Sequence, residues 1–332
     1  MKTISVLSKK LIVFAFVLAV ACIISVIAGF FNVSTAPYTS DAAIIMSQEA
    51  PPSGDNTNTS CEHSGDCFGD CLIEMLIIFE HSVRHLNPED ISRGNLVLIN
   101  HNHAFNPDDV TDLIYINDVA SGTFRVSGEN IMLSNEVIHS LLEMMEAYFD
   151  AIGTDAVSVI SGFRSLDRQR EILDEYISKM GEIEARRWAA RPGHSEHHSG
   201  LAIDFGFYQD GALRTFLGVG RTAWLTENAH YFGFIHRYPE NRFEITQVAH
   251  EPWHFRYVGL PHSYFIHELN MVLEEYIDFI KTHDYDAPFM AEFRGFTYEV
   301  YFTRDLEVLV PFDTDFYVSG TNTDGFIITI RW

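Results

Sequence analysis

Four side chains in two short stretches have the types and spacing to do chemistry together. Residues 192–206 (PGHSEHHSGLAIDFG) offer His197 and Asp204, and residues 249–259 (AHEPWHFRYVG) offer Glu251 and His254. Two imidazoles and one carboxylate can hold a zinc ion and leave a fourth position open for water, which is the arrangement of a catalytic zinc site rather than a structural one. The remaining carboxylate can then take a proton from that water. A lone histidine is more often a satisfied structural residue than a ligand. The weight here rests on the combination, H-x6-D followed further along the chain by E-x2-H.

These side chains need elements to position them. From Gly200 the sequence alternates, with Leu201, Ile203 and Phe205 on one side and Gly200, Ala202 and Asp204 on the other, which predicts a strand that presents a carboxylate beyond two small residues. Pro252 lacks an N–H and biases Glu251 toward an extended conformation. Glu251 and His254 therefore cannot share a helix face, and a bent strand must bring them to one ion. Residues 156–160 (AVSVI) predict a strand running into SGFRS. Ser165 caps a helix over Leu166–Met180 that Gly181 ends, so Arg164 sits at a strand-to-helix junction, where side chains commonly project into a site. Ser134 is the expected N-cap of another helix, closed by Gly153. Further helices are predicted over residues 70–86, 184–190, 222–231 and 261–281, and strands over 95–100, 234–238 and the end of 241–247. The histidines at 101 and 103 belong to a polar loop.

Composition bounds the rest. The chain has 332 residues, 47% of them hydrophobic, which allows a sizeable core. Lys and Arg total 22 against 46 Asp and Glu, a formal charge of −24. That balance speaks against nucleic acid as a partner, since phosphate binding needs clustered basic residues. Of four cysteines, Cys61, Cys67 and Cys71 crowd one stretch and Cys22 lies apart, so a disulfide framework is not indicated. Residues 11–31 run LIVFAFVLAVACIISVIAGFF without a charge, behind Lys2, Lys9 and Lys10. This predicts a single transmembrane anchor with the rest of the chain outside the cell membrane, favoured over a cleaved signal or lipoprotein processing at Cys22. The expected organisation is a cytoplasmic tail (1–10), the anchor (11–31), a flexible linker rich in Ser, Thr, Pro, Asp and Asn (32–69), an α+β zinc-site domain (70–282) and a β-rich extension (283–332). In the domain, flanking helices accompany a small antiparallel sheet that carries the zinc site. The small all-β tail either packs on the domain or forms a module with a partner of its own.

The motif Ser195-x-His197-x-x-Gly200-x-Ala202-x-Asp204, with Glu251-x-x-His254-x-Arg256-Tyr257, resembles the VanY-type D-alanyl-D-alanine carboxypeptidase family, zinc peptidases of peptidoglycan related in fold to the VanX dipeptidases and the hedgehog signalling domain. SGFRS at 161–165, ENAHYFGFIHRYP at 227–239 and EPWHFRYVG at 251–259 are also similar. The resemblance implies that His197, Asp204 and His254 bind Zn2+, that Glu251 is the general base, and that Arg164 faces the scissile carbonyl. It implies that Ser195 and Gln169 contact the substrate's terminal carboxylate. The implied substrates are peptidoglycan stem peptides, from which the terminal D-alanine is removed. The alternatives are L,D-carboxypeptidase or D,D-dipeptidase action, or a non-catalytic zinc-stabilised wall-binding ectodomain. His198, His236 and His250 depart from the family's usual Gln, aliphatic and aromatic residues without removing a ligand or the base.

Overall fold

A computed structural model of the chain describes residues 81–332. The apolar stretch 11–31, the spacer 32–69, all four cysteines and most of the helix expected over 70–86 lie outside the described residues. Among the described residues, no helix is long and apolar enough to cross a membrane.

The first half builds the floor of the site. Strand β1 (His81–His85) is followed by β2 (Leu113–Tyr115), β3 (Arg125–Val126), β4 (Met132–Ser134) and helix α1 (Asn135–Ile152). Val137, Ile138, Leu141, Met144, Met145 and Tyr148 recur at helical spacing and are all buried. Gly153 closes α1 in the left-handed conformation, φ 74°. Next come β5 (Val157–Ser161), α2 (Leu166–Met180), α3 (Glu182–Ala185), β6 (Ala202–Gln209), β7 (Ala212–Thr215), α4 (Ala223–Asn228), β8 (Phe234–Tyr238), α5 (Phe243–Thr246) and β9 (Glu251–Tyr257). The central sheet has the order β3-β5-β6-β9-β8, with β7 also paired to β6. Only β3 and β5 run parallel. One buried cluster joins the α1 side chains to Val157, Val159, Ile203, Phe205, Phe234 and Phe255 of the sheet. Each such side chain contributes about 1.5–3 kcal/mol on burial.

The second half braces this sheet. Helices α6 (His262–Glu268) and α7 (Leu273–Ile280) lead into β10 (Phe289–Phe293), β11 (Phe296–Thr303), β12 (Glu307–Pro311), β13 (Asp315–Gly320) and β14 (Phe326–Arg331). The C-terminal sheet is antiparallel, in the order β10-β11-β14-β13. The β extension packs on the domain. Phe265, Leu273, Tyr276, Ile277 and Ile280 of α6 and α7 share a buried cluster with Phe293, Tyr298, Val300, Phe302 and Ile327.

Several local expectations are corrected. Residues 81–85 form β1, paired antiparallel with β12, rather than the end of a helix. Residues 96–100 are buried, but the stretch 95–100 joins no ladder. Side chains satisfy much of their backbone instead: Arg256 donates to the carbonyls of Asn95 and Val97, and Asn322 to that of Leu98. Residues 243–246 are a helical turn, not a strand. The helix predicted over 261–281 is two helices, broken where Asn270 adopts φ 52°. The apolar periodicity runs through that break, because both helices bury their faces in the same cluster. The helix predicted over 184–190 is confined to α3, and that over 222–231 is a short α4 flanked by 3-10 turns.

Candidate active site

Sheet register brings the four proposed chemical residues together. Asp204 on β6 stands directly opposite His254 on β9, and on its other side opposite Ser161 of β5. His197 comes from a single 3-10 turn, Glu196–Ser199, that ends at Gly200 with φ 71°. A Cβ on Gly200 would lie 2.9 Å from the backbone nitrogen of Ser134, so the turn that delivers His197 to the start of β6 requires glycine. The bend demanded by Pro252 appears as an irregularity in the β8–β9 pairing. Register passes from His236 opposite Phe255 to Tyr238 opposite Glu251, which carries Glu251 round to the same side as His254.

Donor atoms of His197, Asp204 and His254 lie within 4.8 Å of one another, and all three residues are buried. His197 Nε2 is 3.1 Å from Asp204 Oδ2, and His254 Nδ1 is 3.0 Å from Asp204 Oδ1. The outer nitrogens are already committed. His197 Nδ1 donates to the Gly162 carbonyl at 2.6 Å, and His254 Nε2 donates to Glu196 Oε2 at 3.1 Å. With those protons so assigned, both inner nitrogens present lone pairs to a carboxylate. Such an arrangement is repulsive without a proton or cation between the groups, and it fits a divalent metal. In the protein alone, burial pushes the His197 imidazole down to about 4. Burial opposes protonation of His254 as well, but its hydrogen bonds with Asp204 and Glu196 outweigh this and raise it to about 9. Burial would raise Asp204; the charges of His197 and Arg164 overcome that and hold it well below the usual carboxylate range.

Glu251 and Arg164 flank this centre. Glu251 Oε2 lies 3.9 Å from His254 Nδ1. Burial, partly offset by the charge of His254, pushes the Glu251 carboxyl up to about 8. Arg164 donates through Nε and Nη2 to Ser161 Oγ at 3.0 and 2.8 Å, and through Nη2 to Asp204 Oδ2 at 2.5 Å. Its Nη1 lies 3.4 Å from Gln169 Oε1.

These groups open into a cleft of about 520 Å³, also lined by Ser195, Gln169, Tyr238 and Trp253. Ser195 places its hydroxyl at the wall with no side-chain hydrogen bond among the described residues. Gln169 is on the wall too, but its amide is engaged at both ends, by Arg164 and by the Ala190 carbonyl at 2.8 Å. Arg186, Arg187, Trp188 and Arg191 also line the cleft. Arg186 and Arg187 pair with Glu182 and Glu184, whereas Arg191 meets only the His101 carbonyl among the described residues.

The sequence alone missed a buried cluster behind the site. The side chains of Glu196, Arg237 and Arg256 are fully buried, both arginines pair with Glu196, and Glu196 also meets His254. A carboxylate next to a ligand histidine, and arginines inside strands of large apolar residues, were the available signals.

The geometry therefore defines a buried triad able to hold one cation, set beside a carboxylate and an arginine at the floor of a cleft. Residues 130–260 match the VanY family of D-alanyl-D-alanine carboxypeptidases. A D-alanyl-D-alanine carboxypeptidase of Enterococcus faecium is 34% identical over 253 residues, covering 74% of this chain and 78% of the relative. A bifunctional D-Ala-D-Ala dipeptidase and carboxypeptidase, VanXYC of Enterococcus gallinarum, is 37% identical over 141 residues, 41% of this chain and 71% of the relative. The crystal structure of the vancomycin resistance D,D-dipeptidase VanXYg with a D-Ala-D-Ala phosphinate analogue superposes with a TM-score of 0.68 at 32% identity, over 76% of this chain and 99% of that one. The chain belongs to the VanY D-alanyl-D-alanine carboxypeptidase family.

Proposed function

We propose that this protein is a zinc-dependent carboxypeptidase that removes the terminal D-alanine from peptidoglycan stem peptides. The observation that carries the reading is the convergence of His197, Asp204 and His254 within 4.8 Å, beside Glu251 and Arg164. Two imidazoles and a carboxylate are a zinc donor set with an open position, and a bound zinc supplies a water of near-neutral pKa and polarises the scissile carbonyl. Glu251 would take a proton from the attacking water and return it to the leaving amine. A cation held by the triad would favour the ionised, proton-accepting form of Glu251. Arg164 points its guanidinium at the oxygen on which negative charge develops. Ser195, with its free hydroxyl, is the better placed of the two proposed carboxylate contacts. Gln169 serves chiefly to hold Arg164.

The cleft is larger than two alanine residues fill, and its unpaired Arg191 suits a longer, carboxylate-bearing peptide. The apolar stretch 11–31 is the proposed single membrane anchor, which places the domain at the wall outside the cell. Similarity to VanXYg along nearly all of that chain favours a second reading, D,D-dipeptidase action on free D-Ala-D-Ala. The test is mass spectrometry of products from defined pentapeptide, tetrapeptide and D-Ala-D-Ala, for the wild type and Glu251→Ala. D-alanine release from pentapeptide, abolished in the variant with zinc still bound, is expected. Undiminished release by Glu251→Ala would refute the assigned base.

A further inference from the structure

His254 has a second attachment that leads away from the cleft. Its Nε2 meets Glu196 Oε2 at 3.1 Å. The other oxygen of Glu196, Oε1, accepts from Arg237 Nε at 2.7 Å and Arg256 Nη1 at 3.1 Å. The side chains of Glu196, Arg237 and Arg256 are all 0% exposed. A charged carboxylate is stable there only because both of its oxygens are occupied by such partners. Arg256 cannot follow a moving Glu196, because its Nη2 is fixed on the carbonyls of Asn95 and Val97.

Arg237 is held from the far side. Its Nη1 and Nη2 donate to Glu274 Oε2 and Oε1 at 2.8 and 2.7 Å, a paired fork geometry. Glu274 also accepts from Asn100 Nδ2 at 3.2 Å. It belongs to α7, whose buried residues Leu273, Tyr276, Ile277 and Ile280 pack against the C-terminal sheet. His262 adds a polar tie between them, bonding Tyr276 Oη at 2.8 Å and Thr329 Oγ1 of β14 at 3.0 Å. Glu274, Asn100 and the whole C-terminal sheet lie outside residues 130–260, the part that matches the family.

Two carboxylates and two guanidinium groups make this cluster neutral by itself. Because Glu196 Oε2 can only accept, it takes the Nε2 proton of His254, and Nδ1 is left as the nitrogen facing the triad. We infer that Glu196 is a positioning residue that fixes the tautomer and ring orientation of His254. We infer further that Glu274, seated on the C-terminal sheet through α7, holds Arg237 and so keeps Glu196 in place. The β extension on this account belongs to the metal centre, which it supports through the chain Glu274–Arg237–Glu196–His254.

The inference rests on the proposed zinc site, and the experiment separates the two. Zinc affinity of the full chain is measured by competition with a chromophoric chelator for the wild type, Glu196→Gln, Glu274→Gln and the double variant. Thermal melting of each metal-free protein and the visible spectrum of each cobalt-substituted protein are recorded in parallel. Loss of a group that orients a ligand histidine typically weakens metal binding about 10- to 100-fold, and that is expected for Glu196→Gln. Glu274→Gln should weaken binding by a smaller factor and shift the cobalt spectrum in the same direction. The double variant should be no weaker than Glu196→Gln, since the two residues act along one chain. Lower melting temperatures with unchanged zinc affinity and cobalt spectrum would assign the cluster to stability alone and overturn the inference. Additive losses of affinity would overturn the relay from Glu274. If Glu196→Gln does not fold, Glu274→Gln decides by itself, because its carboxylate lies at the edge of the cluster, 12% exposed. A wild type that binds no zinc would instead remove the proposed function.

Discussion

Replacing Arg164 by lysine keeps the charge but removes the fork. The guanidinium meets Ser161 Oγ through two nitrogens and Asp204 through Nη2, which leaves Nη1, 3.4 Å from Gln169, as its least engaged donor. Nη1 is thus the nitrogen able to meet a carbonyl oxygen in the cleft. A single ammonium cannot reach Ser161 and Asp204 and still face the substrate. Loss of one preorganised donor to a developing oxyanion costs about 10²- to 10³-fold in kcat, or about 2.7–4 kcal/mol. The attraction of opposite unit charges 4 Å apart at an effective dielectric of 20 is about 4 kcal/mol. Arg164→Met, which loses the charge too, should therefore fall at or beyond the upper end. The assay is the rate of D-alanine release from a defined pentapeptide with zinc saturating, read as kcat and KM, with zinc affinity measured alongside. Both variants should lose kcat with KM little changed. Zinc should bind no more weakly, because Arg164 is not itself one of the proposed ligands and Arg164→Met removes a cation competing for Asp204. A loss confined to KM, or one that disappears as zinc is raised, would refute the transition-state role.

Two other outcomes follow from the same geometry. With no metal, His254 titrates at about 9, because its hydrogen bonds to Asp204 and Glu196 outweigh burial; at pH 7 it carries a proton that a metal must displace. Apparent zinc affinity should rise about tenfold per pH unit up to about pH 9 and then level off as that proton is lost beforehand. Calorimetry in buffers of different ionisation enthalpy counts the proton, and none released at pH 7 would contradict the assignment. Gly200→Ala places a Cβ 2.9 Å from the Ser134 nitrogen on a φ of 71°. It should cost about 1–3 kcal/mol, seen as a lower melting temperature and weaker zinc binding, and an unchanged melting curve would show that the left-handed turn is dispensable.

The site was legible in the sequence to the extent that its residues are carried by local patterns. Alternation around Asp204 gave its strand, Ser165 and Gly181 marked the ends of α2, and Pro252 demanded the bend at Glu251. What failed depended on partners distant in sequence. Residues 95–100 are apolar enough for a buried strand, but Arg256 and Asn322 occupy the carbonyls a neighbouring strand would take. Residues 261–281 keep a helical period across a break that only the φ of Asn270 reveals. Glu196 reads locally as an acidic residue in a polar turn. Its role arises from two arginines that β8 and β9 bring to it, and no spacing within residues 192–206 announces them.

His198 illustrates how a departure from the family pattern can leave the chemistry intact. It is fully buried, and both its ring nitrogens bond to backbone groups outside the triad. Nε2 accepts the Gly193 N–H at 3.0 Å, which requires the proton on Nδ1, and Nδ1 donates to the Arg164 carbonyl at 2.7 Å. The imidazole thereby ties the loop before His197 to the backbone of Arg164. The glutamine usual at this position likewise carries one acceptor and one donor at the end of its side chain. The exchange holds only while the imidazole stays neutral, since a second proton would turn Nε2 into a donor facing a donor. Burial, against the opposing hydrogen bond to the Arg164 carbonyl, lowers its pKa and favours the neutral form. The position thus constrains a donor–acceptor pair rather than a residue type, which is why a histidine can stand two residues from Glu196 and one from His197 without joining the triad.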